Sequence, residues 1–296
     1  MFAKAGLSAS LSLFVSLFSF SSIALAERVV GNTATDFSVS GGSVNYTVPI
    51  HVAPGRGGMQ PELSFNYHGG GNGILGEGWG LGGLSSIHRC TATLEQDGFV
   101  GRTSFSHNDR YCLDGQRLVP VNGGQGGVGT EYRLETDSYS RIISYGGTAY
   151  HPDHFIAHTK AGQVIRFGGG NASLSFPGGT TTWSVNTITD TTGANTITFD
   201  YFIESRNQYL STITYPGGRV DIDYTRRADQ PVGYYQGSSV QQARRLLQLT
   251  SYHGNSVLRR YTPMYDNRGA DARSYLTGIA ECASNDDCYT TIHFEL

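Results

Sequence analysis

Along most of this chain, apolar and polar residues alternate with a period of two. In "NTITFDYF", Ile197, Phe199 and Tyr201 fall on one face and Thr198 and Asp200 on the other. The stretch "RVDIDYTR" repeats the arrangement, with Val220, Ile222 and Tyr224 set against Asp221 and Asp223. Such alternation predicts half-buried antiparallel strands, because successive side chains on a strand point to opposite faces. Turn signals stand between them at Pro177-Gly178-Gly179, Thr192-Gly193-Ala194-Asn195, Pro216-Gly217-Gly218 and His253-Gly254-Asn255. Each suits a tight reversal with positive φ. Only "SSVQQARRLLQLTSY" is helix-compatible for any distance, and there Leu247, Leu249 and Ser251 also fit one face of a strand.

A loose internal repeat follows from the same pattern. Residues 195–227 and 244–269 both run strand, Gly- or Asn-containing turn, strand, with tyrosines on the apolar faces. Hairpins of this kind cannot bury their apolar faces alone and must stack on neighbours. The predicted fold class is all-β: antiparallel hairpins stacked into an extended, shell-like twisted sheet, with 18 Tyr and 14 Phe packed between layers.

Length and composition narrow this picture. A chain of 296 residues can form one large β domain or two smaller ones, with a subdivision near residue 178. Charged residues make up only 15%, against 38% hydrophobic, which argues against global disorder. The formal net charge of -3, with basic residues clustered only as the pairs Arg226-Arg227, Arg244-Arg245 and Arg259-Arg260, gives no electrostatic basis for nucleic-acid binding. Those pairs read as solvated or ion-paired strand ends.

The first 26 residues show one Lys, a serine-broken apolar run over residues 11–20 and then Ala24-Leu25-Ala26. This is the order of a secretory signal peptide, leaving residues 27–296 as an exported, extracellular chain without stable membrane insertion. In that oxidising setting Cys90, Cys112, Cys282 and Cys288 read as disulfide partners. Four cysteines permit three pairings, and sequence proximity favours Cys90 with Cys112 and Cys282 with Cys288.

Candidate chemistry is sparse. Gly71-x-Gly73-x-x-Gly76 and Gly78-x-Gly80-x-x-Gly83 match the dinucleotide fingerprint as strings, but the glycine-rich "LGEGWGLGGLSSI" cannot sustain the helix that fingerprint requires. No cofactor is expected. His151, His154 and His158 form the best metal candidate, and surface roles on a strand edge are preferred for them. Glu77, Glu95, Asp97 and Asp114 lie in or near the aromatic-rich half without forming a recognisable catalytic pair. The strings for serine hydrolases, zinc proteases, NTPases and EF-hands do not occur.

Glycine supplies 40 of the 296 residues, about twice the usual ~7%, and concentrates in residues 55–83 and 123–129. The second cluster, "NGGQGGVG", lacks aromatic residues and reads as a mobile loop tip. The first threads Phe65, Tyr67, Trp79 and Leu81 between its glycines. Pro54 and Pro61 fix φ at two corners, the glycines permit close backbone approach, and the aromatics anchor the segment by burial. It reads as a structural corner.

That same stretch resembles the Salmonella virulence plasmid 65 kDa B protein family, the N-terminal region shared by SpvB-type virulence proteins and the B components of insecticidal Tc toxin complexes. The matching residues are Pro49, Pro54, Gly55, Gly58, Pro61, Leu63, Tyr67, Gly73, Gly76, Gly78, Trp79, Leu81, Ile87 and Arg89. Further likeness runs through "RYCLDGQRLV", "FIAHTKAGQVIRFG" and "RSYLTGIAECA". The resemblance implies a β-sheet shell module without catalytic residues and with RHS-type or other toxin components as protein partners. It makes a secreted, non-enzymatic β scaffold of a virulence or toxin system the leading expectation, with roles in toxin encapsulation, export or assembly. The aromatic content keeps a secreted carbohydrate-binding or carbohydrate-active β protein as the alternative.

Overall fold

The computed structural model describes residues 29–295 except Gly41, Asp137, Ala270 and Asp271. The proposed signal peptide lies outside the described residues. Five strands come first: β1 (Val29–Asn32), β2 (Asp36–Ser40), β3 (Ser43–Ile50), β4 (Leu63–Gly73) and β5 (Gly76–Gly82). β2 to β5 form an antiparallel sheet in chain order.

The chain then enters a barrel. Its strands are β6 (Ser86–Cys90), β7 (Arg110–Leu113), β8 (Gln116–Asn122), β9 (Glu131–Leu134), β10 (Arg141–Tyr145), β11 (His154–His158) and β12 (Val164–Gly168). Each pairs antiparallel with the next. Closure comes from a later strand. After the short β13 (Ser173–Phe176), β14 (Gly179–Thr189) pairs with β12 through residues 185–189 and with β6 through residues 182–184, completing an eight-stranded ring. The expected extended sheet therefore closes on itself, with β13 and the later strands outside.

Alternation explains the barrel's filling. Ile87, Tyr111, Leu118, Tyr132, Ile142, Phe155, Phe167 and Trp183 are all buried. Tyr111 meets Tyr132, Phe155 and Trp183 edge-on, with centroids 5.3–5.9 Å apart. Edge-to-face contact suits the ring quadrupoles and adds roughly 0.5–1.5 kcal/mol per pair beyond burial.

From the far half of β14, a meander leads away: β15 (Thr196–Glu204), β16 (Asn207–Tyr215) and β17 (Gly218–Arg226). A separate hairpin, β18 (Val232–Tyr235) with β19 (Ser238–Gln241), interrupts it. The meander resumes with β20 (Arg244–His253), β21 (Ser256–Arg268) and β22 (Arg273–Ala283). β23 (Cys288–Thr290) and β24 (Ile292–His293) return along β22, and β1 joins β23 in parallel. The β2–β5 sheet packs on this meander, as in the edge contact of Phe65 with Tyr261 at 6.0 Å.

All four predicted turns connect neighbouring strands: β13 to β14, β14 to β15, β16 to β17 and β20 to β21. Val220 and Ile222 are buried as the alternation required. The helix-compatible stretch is strand, but its inner face differs from expectation. Leu247 is exposed, while Leu246, Leu249 and Ser251 point inward, because a bulge opposite residues 223–224 shifts the register. The 123–129 loop is also corrected: it is tied onto the barrel end. Gly126 N–H donates to Tyr132 Oη at 2.8 Å, Gly129 N–H to Ser144 O at 2.8 Å, and Ser144 Oγ to Gly127 O at 2.6 Å.

Candidate functional site: a structural junction

The glycine-proline corner occupies residues 51–62, between β3 and β4. Pro54 and Gly55 lead into a 3-10 turn, Arg56–Gly58, and Gly55 N–H donates to Gln60 Oε1 at 3.0 Å. A Cβ on Gly55 would lie 2.0 Å from Met59 O, so the fold admits no side chain there. Gly58 takes φ 77°, which glycine adopts without strain, and Pro61 precedes β4. The corner docks on the opposite sheet: Arg56 N–H donates to Pro216 O at 2.8 Å, and His51 N–H to Tyr261 Oη at 2.8 Å. Ser251 Oγ in turn donates to His51 O at 2.9 Å.

Trp79 anchors the next segment. It is buried on β5 and packs against Tyr67 at 5.5 Å, Tyr46 at 6.1 Å and Phe294 at 4.5 Å. Gly76 and Gly78 make this possible. A Cβ at Gly76 would lie 2.5 Å from Ser274 O on β22, and one at Gly78 would lie 2.4 Å from the Tyr67 ring.

Arg89 sits apart from this corner, inside the barrel end. Its side chain is fully buried and donates from Nε to Thr180 O at 2.7 Å, from Nη1 to Asp109 at 2.8 Å and from Nη2 to Tyr150 O at 2.5 Å. The guanidinium also lies 5.1–5.6 Å from the ring centroids of Phe105, Tyr111 and Trp183. Asp109 additionally accepts from Ser104 N and Phe105 N, so one ion pair holds three chain segments at one barrel end. Of the sequence-selected residues, the structure gathers the corner and Trp79 between the two facing sheets and leaves Arg89 in the barrel.

Sequence reasoning missed a second buried latch. Arg227 forks onto both Asp229 oxygens at 2.9 and 2.8 Å, reaches Gly73 O at 2.6 Å and also bonds Asn72 Oδ1. Asp229 accepts as well from Ser274 N at 3.0 Å and Asn72 Nδ2 at 3.1 Å. Burial pushes the Asp229 pKa up, but the hydrogen bonds from Arg227, Ser274 and Asn72 outweigh it and hold the carboxyl well below the usual range. Its only sequence signal was the Arg-x-Asp spacing. The basic pair at 226–227 thus divides, with Arg226 exposed and Arg227 buried.

Cys90 bonds Cys112 across β6 and β7, and Cys282 bonds Cys288 across β22 and β23. The other candidates disperse. Asp97 pairs with Arg110 and Arg117, Asp114 accepts from Ser85 and Ser86, Glu77 lies 3.7 Å from Arg273, and Glu95 is exposed. His154 and His158 stand four residues apart on the outer barrel face, roughly 13 Å along a strand, which is too far to share one metal ion. His154 stacks on Tyr145, and His151 on Phe105. The glycine strings lie on the β4–β5 hairpin and are followed directly by strand β6, not by a helix.

This ordered series of corner, barrel and meander has counterparts. The Salmonella virulence plasmid 65kDa B protein family matches over residues 38–242. The chain belongs to that family. The match takes in the corner, the barrel and the β18–β19 hairpin, and stops just before β20. Among solved structures, TcdB2-TccC3 superposes on 97% of this chain with TM-score 0.72 at 17% identity. The Tc holotoxin pore of Photorhabdus luminescens covers 94% of the chain, also at TM-score 0.72, with 16% identity. The N-terminal domain of the effector protein SpvB from Salmonella typhimurium strain LT2 covers 84%, with TM-score 0.64 and 19% identity. This chain spans 17% of the length of each of the first two chains and all of the third. These likenesses concern the fold. Comparison with curated proteins found no sequence match.

Proposed function

We propose that this protein is a secreted, non-enzymatic β scaffold of a virulence or toxin system, which docks onto a larger toxin component and serves its encapsulation, export or assembly. The observation that carries the reading is size: the same fold makes up all of one compared chain and only 17% of two others. A fold that recurs as one part of larger proteins, as the N-terminal domain of SpvB and as a small share of the Tc chains, suits a structural, partner-bound role. The polar interior supports it too, since the buried Arg89, Arg117 and Arg227 are all committed to carboxylates and backbone carbonyls that hold chain segments together. A subdivision near residue 178 would fall at the start of β14, the strand that serves both the barrel and the meander.

The test is capture. The mature chain, immobilised, is expected to retain RHS-type or Tc-type components from the same organism in stoichiometric amounts, and N-terminal sequencing of exported protein should begin at residue 27. Turnover in glycosidase or ADP-ribosylation assays, or failure to retain any such component, would reject the reading.

A further inference from the structure

The β18–β19 hairpin pairs with neither sheet. It overhangs a cleft of about 640 Å³ between the barrel's outer face and the start of the meander. This volume suits a small organic ligand. One wall is aromatic: Phe176 from β13 and Tyr235 from the hairpin lie 4.8 Å apart, and Tyr234 beside them is 79% exposed. The other wall is polar, with Thr182 and His88 from the barrel. Burial holds the His88 imidazole below its ordinary pKa against the pull of Asp114, so it offers one donor and one acceptor at neutral pH.

The charge in the cleft is one-sided. No Asp or Glu lines it. Of the two arginines that do, Arg89 is neutralised by Asp109, whereas Arg206 makes a single hydrogen bond, from Nη1 to Ser239 O at 3.2 Å, and has no carboxylate partner among the described residues. At least three further guanidinium donors are left to meet an anion.

Arg206 is also one of ten non-glycine residues with positive φ among the described residues. Ser205 and Arg206 form the two-residue turn between β15 and β16, and both adopt left-handed conformations, φ 53° and 58°. Such turns favour Asn-Gly, and a β-bearing, long side chain there is strained. Strain of this kind persists where a side chain must be held at a particular place. Here it holds the one uncompensated cation at the rim of an aromatic cleft.

We propose that this cleft binds an acidic saccharide, with the sugar's C–H face on Tyr234 and the Phe176–Tyr235 pair, its hydroxyls on Thr182 and His88, and its carboxylate on Arg206. Aromatic stacking supplies a platform for the ring, and planar or hydroxyl-bearing polar groups supply direction.

Calorimetric titration of the intact chain distinguishes the possible sources of the acid: 3′-sialyllactose carries a sialate, a hyaluronan tetrasaccharide carries glucuronates, and lactose is the neutral control. At least one acidic sugar is expected to bind saturably and about tenfold or more tighter than lactose, a difference of about 1.4 kcal/mol. Arg206→Gly, which relieves the turn, should erase that preference without lowering the melting temperature. Tyr234→Ala should weaken the acidic sugar about tenfold while leaving the melting temperature unchanged. Absence of binding by both acidic sugars, equal binding of lactose, or an unaltered preference in the glycine variant would overturn the proposal. Because none of these readouts involves capture of a toxin component, the scaffold reading is tested separately.

Discussion

The barrel and the pair of facing sheets solve the same problem in different ways. In the barrel, β14 bridges β12 and β6, so every ring strand has two neighbours and no edge is left. The facing sheets stay open: β2 ends its sheet, and Phe37 and Val39 on it are exposed. A closed ring fixes its spacing through its own hydrogen bonds, whereas two open sheets must be clamped from outside. The clamp here is the glycine-proline corner together with Arg227–Asp229. Both regions hold a buried Arg–Asp pair, but Arg89 ties loops at the end of one ring, while Arg227 joins β4, β17 and β22 from two sheets.

That difference is open to direct attack. Arg89→Ala and Arg227→Ala each strand a buried carboxylate and should cost about 3–5 kcal/mol in denaturant melts. Hydrogen exchange separates them: loss of Arg89 is expected to lower protection throughout the ring, and loss of Arg227 to expose β2–β5 while β6–β12 stay protected. Uniform loss in both variants would erase the distinction. Trp79→Ala, which empties the aromatic cluster between the sheets, should cost about 3–5 kcal/mol and act on the sheet pair first.

Disulfide removal gives smaller effects of unequal size. By loop length, replacing Cys90 and Cys112 with Ser should cost roughly 3 kcal/mol and replacing Cys282 and Cys288 roughly 2 kcal/mol, so the barrel's melting temperature should respond more. Acid should act the other way round. A carboxyl whose pKa is depressed on folding contributes stability that is complete above the unfolded value, about pH 4, and is lost as pH falls towards the folded value. Asp229 is such a group, so its share of the sheet-pair clamp should fade below about pH 4. The Asp229→Asn variant should flatten that part of the pH–stability profile; an unchanged profile would remove Asp229 from the clamp.

Much of the local structure was legible. The period-two faces at 197–201 and 219–226 are strands, the Pro-Gly and Gly-Asn turns lie between paired neighbours, and the cysteines join their nearest partners in sequence. The corner was legible as well, because proline, close-approach glycine and interleaved aromatics are local signals. Two readings failed and a third was incomplete where a distant group or a bulge intervened. Gly126 looks free in sequence but meets Tyr132 and lies beside Tyr150, and Leu247 loses its inner position to a bulge; Arg227 is the ion-paired strand end its sequence suggested, but it is buried and also finds Asn72 and Gly73 more than 150 residues away.

The residues alone determined that this chain is built of antiparallel hairpins, where it turns, and which faces must be buried, since those follow from side-chain alternation and from the φ limits of proline and glycine. Tertiary structure alone decided that the sheet closes, that β14 serves both halves, and that Arg89, Arg117 and Arg227 are buried on distant carbonyls. Ring closure pairs Trp183 with Ile87, and no local period records which remote strand edge a given edge will meet. That choice is made by the summed burial and hydrogen bonding of the whole fold.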